Sequence, residues 1–185
     1  MPTQGSAQRP HAELDARYSS ALNPRPGAGE VTATDWDEAQ RRMEAAEIFW
    51  LSTVRPDGRL HVTPLIAAWH AGALYFSTGE TEQKARNLAH DGHCALTTGG
   101  NSLTEGMDLI LEGTARRVAD PKELEAMIGA YEAKYGAHMT SAEGTFHGMG
   151  DAIRAGQVAV FALAPETAYG FGRDGGVYSH TRWTF

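Results

Sequence analysis

The stretch Leu74-Tyr75-Phe76-Ser77-Thr78-Gly79-Glu80-Thr81-Glu82-Gln83-Lys84-Ala85-Arg86-Asn87-Leu88 sets two hydroxyls and a glycine shortly ahead of a lysine. A β-rich run ends at the hydroxyls and a helical pattern opens near Glu82, which predicts a strand–loop–helix unit. The first-turn N–H groups of such a helix, its positive dipole end, two hydroxyls and Lys84 together suit a phosphate. The same residues also read as an ordinary helix start, with Thr81 as N-cap and Lys84 in solvent.

Two other groupings invite chemistry. His90-Asp91-Gly92-His93-Cys94 holds two imidazoles and a thiol. The Gly92 break separates a helix end from a strand, however, where successive side chains face opposite ways, so no metal site is expected. His138, Met139, His147 and Met149 fall in a segment without clear periodicity. It reads as a lid rather than a haem or metal site. No Ser-His-Asp set, P-loop or dinucleotide fingerprint occurs in usable context.

Residues 1–34 are poor in large apolar side chains and carry Asn23-Pro24-Arg25-Pro26-Gly27, which predicts an extended or flexible arm. The domain proper is expected over 35–185. Trp36, Ala39, Met43 and Ala46 recur at helical spacing over 35–46. Ile48–Val54 then turns through Arg55-Pro56-Asp57-Gly58 into a second strand, His61–Trp69, and His70-Ala71-Gly72 leads to a third, Ala73–Ser77. These three read as a β-meander, with Pro64 marking an edge or a bulge. A helix over 82–89, a strand at His93–Thr98 and a long strand from Met107 to Val118 follow. Pro121 opens a further helix whose buried stripe is Leu124, Met127, Ile128 and Tyr131. Three closing strands are Gln157–Leu163, Thr167–Gly172 and Val177–Trp183. Many strands with a few short helices point to a mainly β, antiparallel, Greek-key-like barrel.

The chain has 185 residues, 42% hydrophobic and 21% charged, which suits one sizeable core. A net charge of −7 argues against nucleic-acid binding. Cys94 is the lone cysteine, the first 25 residues lack a signal-peptide core, and no window approaches the roughly 20 apolar residues of a membrane span. A cytoplasmic protein without membrane contact is expected. An apolar outer face, with Trp50, Trp69, Tyr75 and Phe76 as its candidates, predicts a homodimer.

The Ser77-Thr78 to Lys84-Ala85-Arg86-Asn87-Leu88 run, with Val54-Arg55-Pro56-Asp57-Gly58-Arg59 before it, resembles the pyridoxamine 5'-phosphate oxidase-like superfamily. These are FMN-binding split barrels, and they include deazaflavin (coenzyme F-420) reductases. Leu111-Glu112-Gly113 and the ending Ser179-His180-Thr181-Arg182-Trp183-Thr184-Phe185 add to the likeness, which spans about 34–185. The resemblance implies a homodimeric split barrel with the cofactor at the subunit interface. It puts Ser77, Thr78 and Lys84 on the phosphate, and Arg86 and Asn87 beside it. Thr63, Pro64 and Leu65 would lie along the ring, with Arg182 and Trp183 of a partner chain closing the pocket.

Two departures shape the functional expectation. The oxidase proper has an arginine just before the helix lysine, where this chain has Gln83, and a glutamine on the long strand, where this chain offers Asp108. The Lys-Ala-Arg-Asn-Leu run is closer to the deazaflavin branch. The expected function is therefore a reductase passing hydride from coenzyme F-420, or FMN, to a small organic substrate held under the 136–150 segment. An FMN-dependent oxidase-like enzyme and a flavin- or haem-binding module without efficient turnover are the alternatives. No side chain stands out in the sequence as acid or base.

Overall fold

The computed structural model describes residues 9–15, 31–175 and 177–185. Of the expected arm, residues 1–8 and 16–30 lie outside the described residues, while His11–Leu14 forms strand β1. This strand pairs antiparallel with the last strand of the same chain, Leu14 opposite Thr181.

Helix α1, Trp36–Ala45, buries Trp36, Ala39 and Met43 on one face. Asp37 and Glu38 sit in its first turn and Arg42 in its last, which complements the helix dipole. β2 (Phe49–Val54) alternates Phe49, Leu51 and Thr53 inward with Trp50 outward. The turn that follows needs Gly58 at φ +83°, where the Gly58 N–H donates to the Arg55 carbonyl at 2.8 Å. β3 (Leu60–Leu65) returns along β2, Leu65 opposite Phe49.

Here the structure corrects the expected meander. The run 61–69 is not one strand: β3 ends at Leu65, and β4 (Ala68–His70) belongs to a second sheet, paired with β5 (Ala73–Thr78). α2 (Gln83–His90), β6 (His93–Thr98) and β7 (Glu105–Arg117) follow. β7 pairs with β6 and β9 in the first sheet, then delivers Ala115–Arg117 to β8 in the second. Gly113 marks this crossing, because a Cβ there would stand 2.6 Å from the Ala164 carbonyl oxygen. α3 (Pro121–Tyr135) starts with proline in its first turn and an Asp120 carboxylate accepting from the Lys122 N–H.

The 136–150 segment is more regular than expected, with short helices α4 (Ala137–Thr140) and α5 (Met149–Arg154). β8 (Ala159–Leu163), β9 (Thr167–Asp174) and β10 (Val177–Thr184) close the fold. The first sheet runs β1-β10-β9-β7-β6-β2-β3, and every strand pair is antiparallel. This is a mainly β split barrel with few short helices. Among the described residues, no helix is long and apolar enough to cross a membrane.

One core fills the barrel around Phe49, Leu51, Phe76, Leu96, Leu111 and Trp183. A second lies between α3 and the outer side of β5 and β8, around Tyr75, Met127, Ile128, Tyr131 and Val160. Strands covered on both faces explain why Phe76 and Tyr75 are interior, against the expectation that they face outward. Trp69 packs against the barrel core as well. Of the four expected surface aromatics only Trp50 is exposed.

α3 also explains the break between β3 and β4. Two residues that leave one ladder before joining the next strand their backbone polar groups, which must be satisfied elsewhere. The Tyr131 hydroxyl donates to the Ile66 carbonyl at 3.1 Å, and the Ala67 N–H donates to the Tyr135 hydroxyl at 3.0 Å. Lys134 Nζ donates to the Ala67 carbonyl at 2.8 Å and to the Met43 carbonyl at 3.1 Å.

Candidate active site

Among the described residues β3 pairs only with β2, so its other edge offers backbone groups without ladder partners among them. Its inward residues are His61, Thr63 and Leu65, opposite Thr53, Leu51 and Phe49. His61 Nδ1 and Thr63 Oγ1 are shielded from solvent and find no hydrogen-bond partner among the described residues. Buried polar atoms without partners are uncommon and ask for a reason, an absent ligand among them. α2 packs against β2 and β3, and its Asn87 reaches Thr53, the residue opposite His61.

At the start of α2 the expected phosphate residues converge. Thr78 ends β5 and is buried, and Lys84 keeps only 12% of its side chain exposed. Lys84 forms an ion pair with Glu82, whose other oxygen accepts from the Gly79 N–H at 2.9 Å. The Lys84 ammonium, then the Gly79 N–H and the Thr78 hydroxyl, hold the Glu82 carboxyl below its usual range. Ser77 is half-buried and its hydroxyl lies 3.8 Å from the Met149 sulfur, which links β5 to α5.

Other expected residues are placed differently. Asn87 is fully buried, donates to Thr53 Oγ1 at 2.9 Å and accepts from Gln83 at 2.7 Å. It is a brace between α2 and β2 with no surface for a cofactor. Trp183 is also fully buried, with its indole N–H donating to the Thr34 carbonyl at 3.0 Å and its ring edge-on to Trp36. The inward half of β10's alternation puts it in the core, so it closes no pocket in a partner. Arg86 is exposed on α2, and Pro64 is exposed on β3. Asp108 is engaged by Arg173 at 2.5 and 3.0 Å, which lowers its carboxyl pKa.

Arg182 points outward and pairs with Glu13. Cross-strand register sets it in one row with Tyr169, Ile110, Thr97, Trp50 and Pro64 across the outer face. Counted along the curved sheet, five strand spacings, about 24 Å, lie between it and β3.

The structure adds a region that spacing did not reveal. A cavity of about 360 Å³ opens where β3 ends, between Ile48, Ile66, Lys134, Tyr135, His138 and Phe146. Lys134 Nζ lies 4.8 Å from the Phe49 ring centre and 5.3 Å from that of Tyr135. Burial pushes its pKa down to about 8, and pushes the Tyr135 hydroxyl up to about 12. A lysine in the last turn of a helix reads as solvated, and only the fold brings it against the strand break. In the His90–Cys94 group, His93 pairs with Asp91 at 2.6 Å, while burial pushes the Cys94 thiol up to about 12.

The family model described as pyridoxamine 5'-phosphate oxidase matches residues 36–172. No curated protein matches the chain. Among solved structures, a conserved hypothetical protein from Mycobacterium tuberculosis is similar with a TM-score of 0.65 and 20% identity, covering 80% of this chain and 89% of that one. A haem binding protein from Mycobacterium smegmatis gives 0.58 at 20% identity, covering 80% and 55% respectively. HutZ, the haem storage protein of Vibrio cholerae, gives 0.55 at 18%, covering 70% and 89%. At these identities the structural likeness speaks to fold alone.

Proposed function

The chain belongs to the pyridoxamine 5'-phosphate oxidase family, and on that premise we propose that it is an oxidoreductase holding coenzyme F-420, or FMN, along β3. The observation that carries the reading is the pair of buried atoms His61 Nδ1 and Thr63 Oγ1, without partners among the described residues, on a strand whose second edge is unpaired among them and against which the Lys84 helix packs. Polar atoms in that position fit a group with a phosphate and a heteroatom-rich ring.

When bound, the cofactor supplies hydride transfer, while the chain binds, orients and excludes water. Thr78, Lys84 and the first-turn N–H groups of α2 hold the phosphate, with Ser77 beside them. The backbone of Thr63 and Leu65 meets the ring's polar edge, and Pro64 offers a carbonyl only. Arg86, exposed on α2, would meet the tail of a deazaflavin. A small substrate occupies the cavity below His138 and Phe146.

The assembly is proposed as a homodimer. Trp50, Leu60 and Val62 are 50%, 72% and 51% exposed on the outer face of β2 and β3, an apolar patch that a two-fold partner covers. Such a partner also brings its own Arg182 toward the site. Light scattering then gives about twice the 19.9 kDa chain mass, and a monomer that still binds cofactor tightly contradicts the arrangement.

The deciding experiment titrates cofactor-free protein with each cofactor. A phosphodiester carries about one negative charge fewer than the terminal phosphate of FMN, which suits a single lysine. Coenzyme F-420 is expected to bind more tightly at low salt, with the gap narrowing as salt rises. A tenfold preference for FMN reverses the cofactor choice, and binding of neither overturns the reading. The names of two similar structures favour one second reading, haem binding. A haem titration with a Soret shift that His138→Ala abolishes would support it.

A further inference from the structure

The phosphate corner is already filled by an anion. The Glu82 carboxylate accepts from the Gly79 N–H and forms an ion pair with Lys84. Lys84 is the charged donor that the proposed function assigns to the cofactor's phosphate. Glu82 is the residue before α2, yet it does not cap the helix through its side chain. It folds back on the loop instead, leaving its carboxylate where an incoming anion belongs. Gly79 permits this approach: a Cβ there would stand 3.1 Å from Glu82 Oε1, although its φ is not one that demands glycine.

We propose that Glu82 is an internal competitor for the phosphate and thereby a determinant of which cofactor the site accepts. The inference rests on the proposed phosphate site. Every ligand must displace the carboxylate from Lys84 and then remain beside it, since Glu82 is tethered two residues from the lysine. Coulomb energy scales with the charge the ligand brings, so a phosphomonoester dianion is penalised about twice as strongly as a phosphodiester monoanion. In affinity, the dianion's factor is about the square of the monoanion's. Glu82 sorts cofactors in the same direction as Gln83 does, by adding a negative charge where Gln83 withholds a positive one.

The test measures dissociation constants for FMN and for coenzyme F-420 on the full chain, on Glu82→Gln and Glu82→Ala, and on Lys84→Ala as the site control. The Gln variant keeps an acceptor for the Gly79 N–H without the charge; the Ala variant removes both. Half of the Glu82 side chain is exposed, and the melting temperature of each cofactor-free variant is recorded to confirm folding. Both Glu82 variants are expected to bind FMN about tenfold more tightly and coenzyme F-420 about threefold more tightly, shifting preference toward FMN. An unchanged ratio, or a shift toward coenzyme F-420, overturns the role of Glu82 while Lys84→Ala still weakens binding. If Lys84→Ala leaves both affinities unaltered, the phosphate site itself fails and the inference falls with it.

Discussion

Two lysines bracket the gap between the sheets, and their surroundings differ in kind. Lys84, in the first turn of α2, faces a carboxylate that is 48% exposed and that solvent or a ligand can replace. Lys134, in the last turn of α3, faces two main-chain carbonyls and two aromatic rings. An ammonium whose carboxylate partner stands half in solvent can exchange that partner for another anion. An ammonium that satisfies buried carbonyls is part of the fold, and removing it leaves those acceptors with less than they need. One end of the gap is therefore built to release its contacts and the other to keep them.

The sharpest way to break this contrast is to remove each lysine in turn. Lys84→Ala is expected to weaken binding of the preferred cofactor by about 1.5–3 kcal/mol, the range of a charge-assisted contact. The urea-unfolding free energy of the cofactor-free variant is expected to fall by less than about 1 kcal/mol, the upper end for an ion pair with a solvent-exposed partner. Lys134→Ala is expected to do the reverse in unfolding, costing about 1–3 kcal/mol as the Met43 carbonyl loses its donor and the Ala67 carbonyl keeps only Tyr135. A stability loss at Lys84 equal to that at Lys134 would erase the distinction.

A smaller effect sharpens it through pH. Lys134 titrates near 8 in the fold against an ordinary 10.5, so between those values the unfolded chain binds more protons than the native one. Stability from this group therefore rises from about pH 8 to 10.5, is fully present above 10.5, and is lost as pH falls through 8. Tyr135 titrates near 12, and its opposing loss begins only above about pH 10 in parent and variant alike. Comparing unfolding of the parent with Lys134→Met isolates the lysine. The parent is expected to gain on the variant across that window, and a flat difference would mean that Lys134 is not desolvated.

The same contrast separates what the sequence disclosed from what it hid. Thr78 and Lys84 lie six positions apart, so turn chemistry and helix polarity made that corner legible. The Arg55–Gly58 turn, β6 and the start of α3 were legible for the same local reason. The break at Ile66-Ala67 was not. Pro64 marks an irregularity nearby, but the apolar residues 65–69 carry no stop signal of their own, and the break depends on Tyr131, Lys134 and Tyr135, some 65 to 68 positions away. Asn87 and Trp183 illustrate the complementary error. A polar group on a helix and an aromatic near a chain end resemble ligand contacts until their buried partners, Thr53 and Thr34, are known.

The central claim is that the β3 edge and the start of α2 form one cofactor site. It is tested most directly by amide NMR of the assigned, cofactor-free protein during titration with coenzyme F-420. Saturating shifts are expected at Thr63, Leu65, Gly79 and Lys84, with the Leu103 and Asp174 amides unmoved. Shifts confined to other strands, or no saturable change with either coenzyme F-420 or FMN, would contradict it.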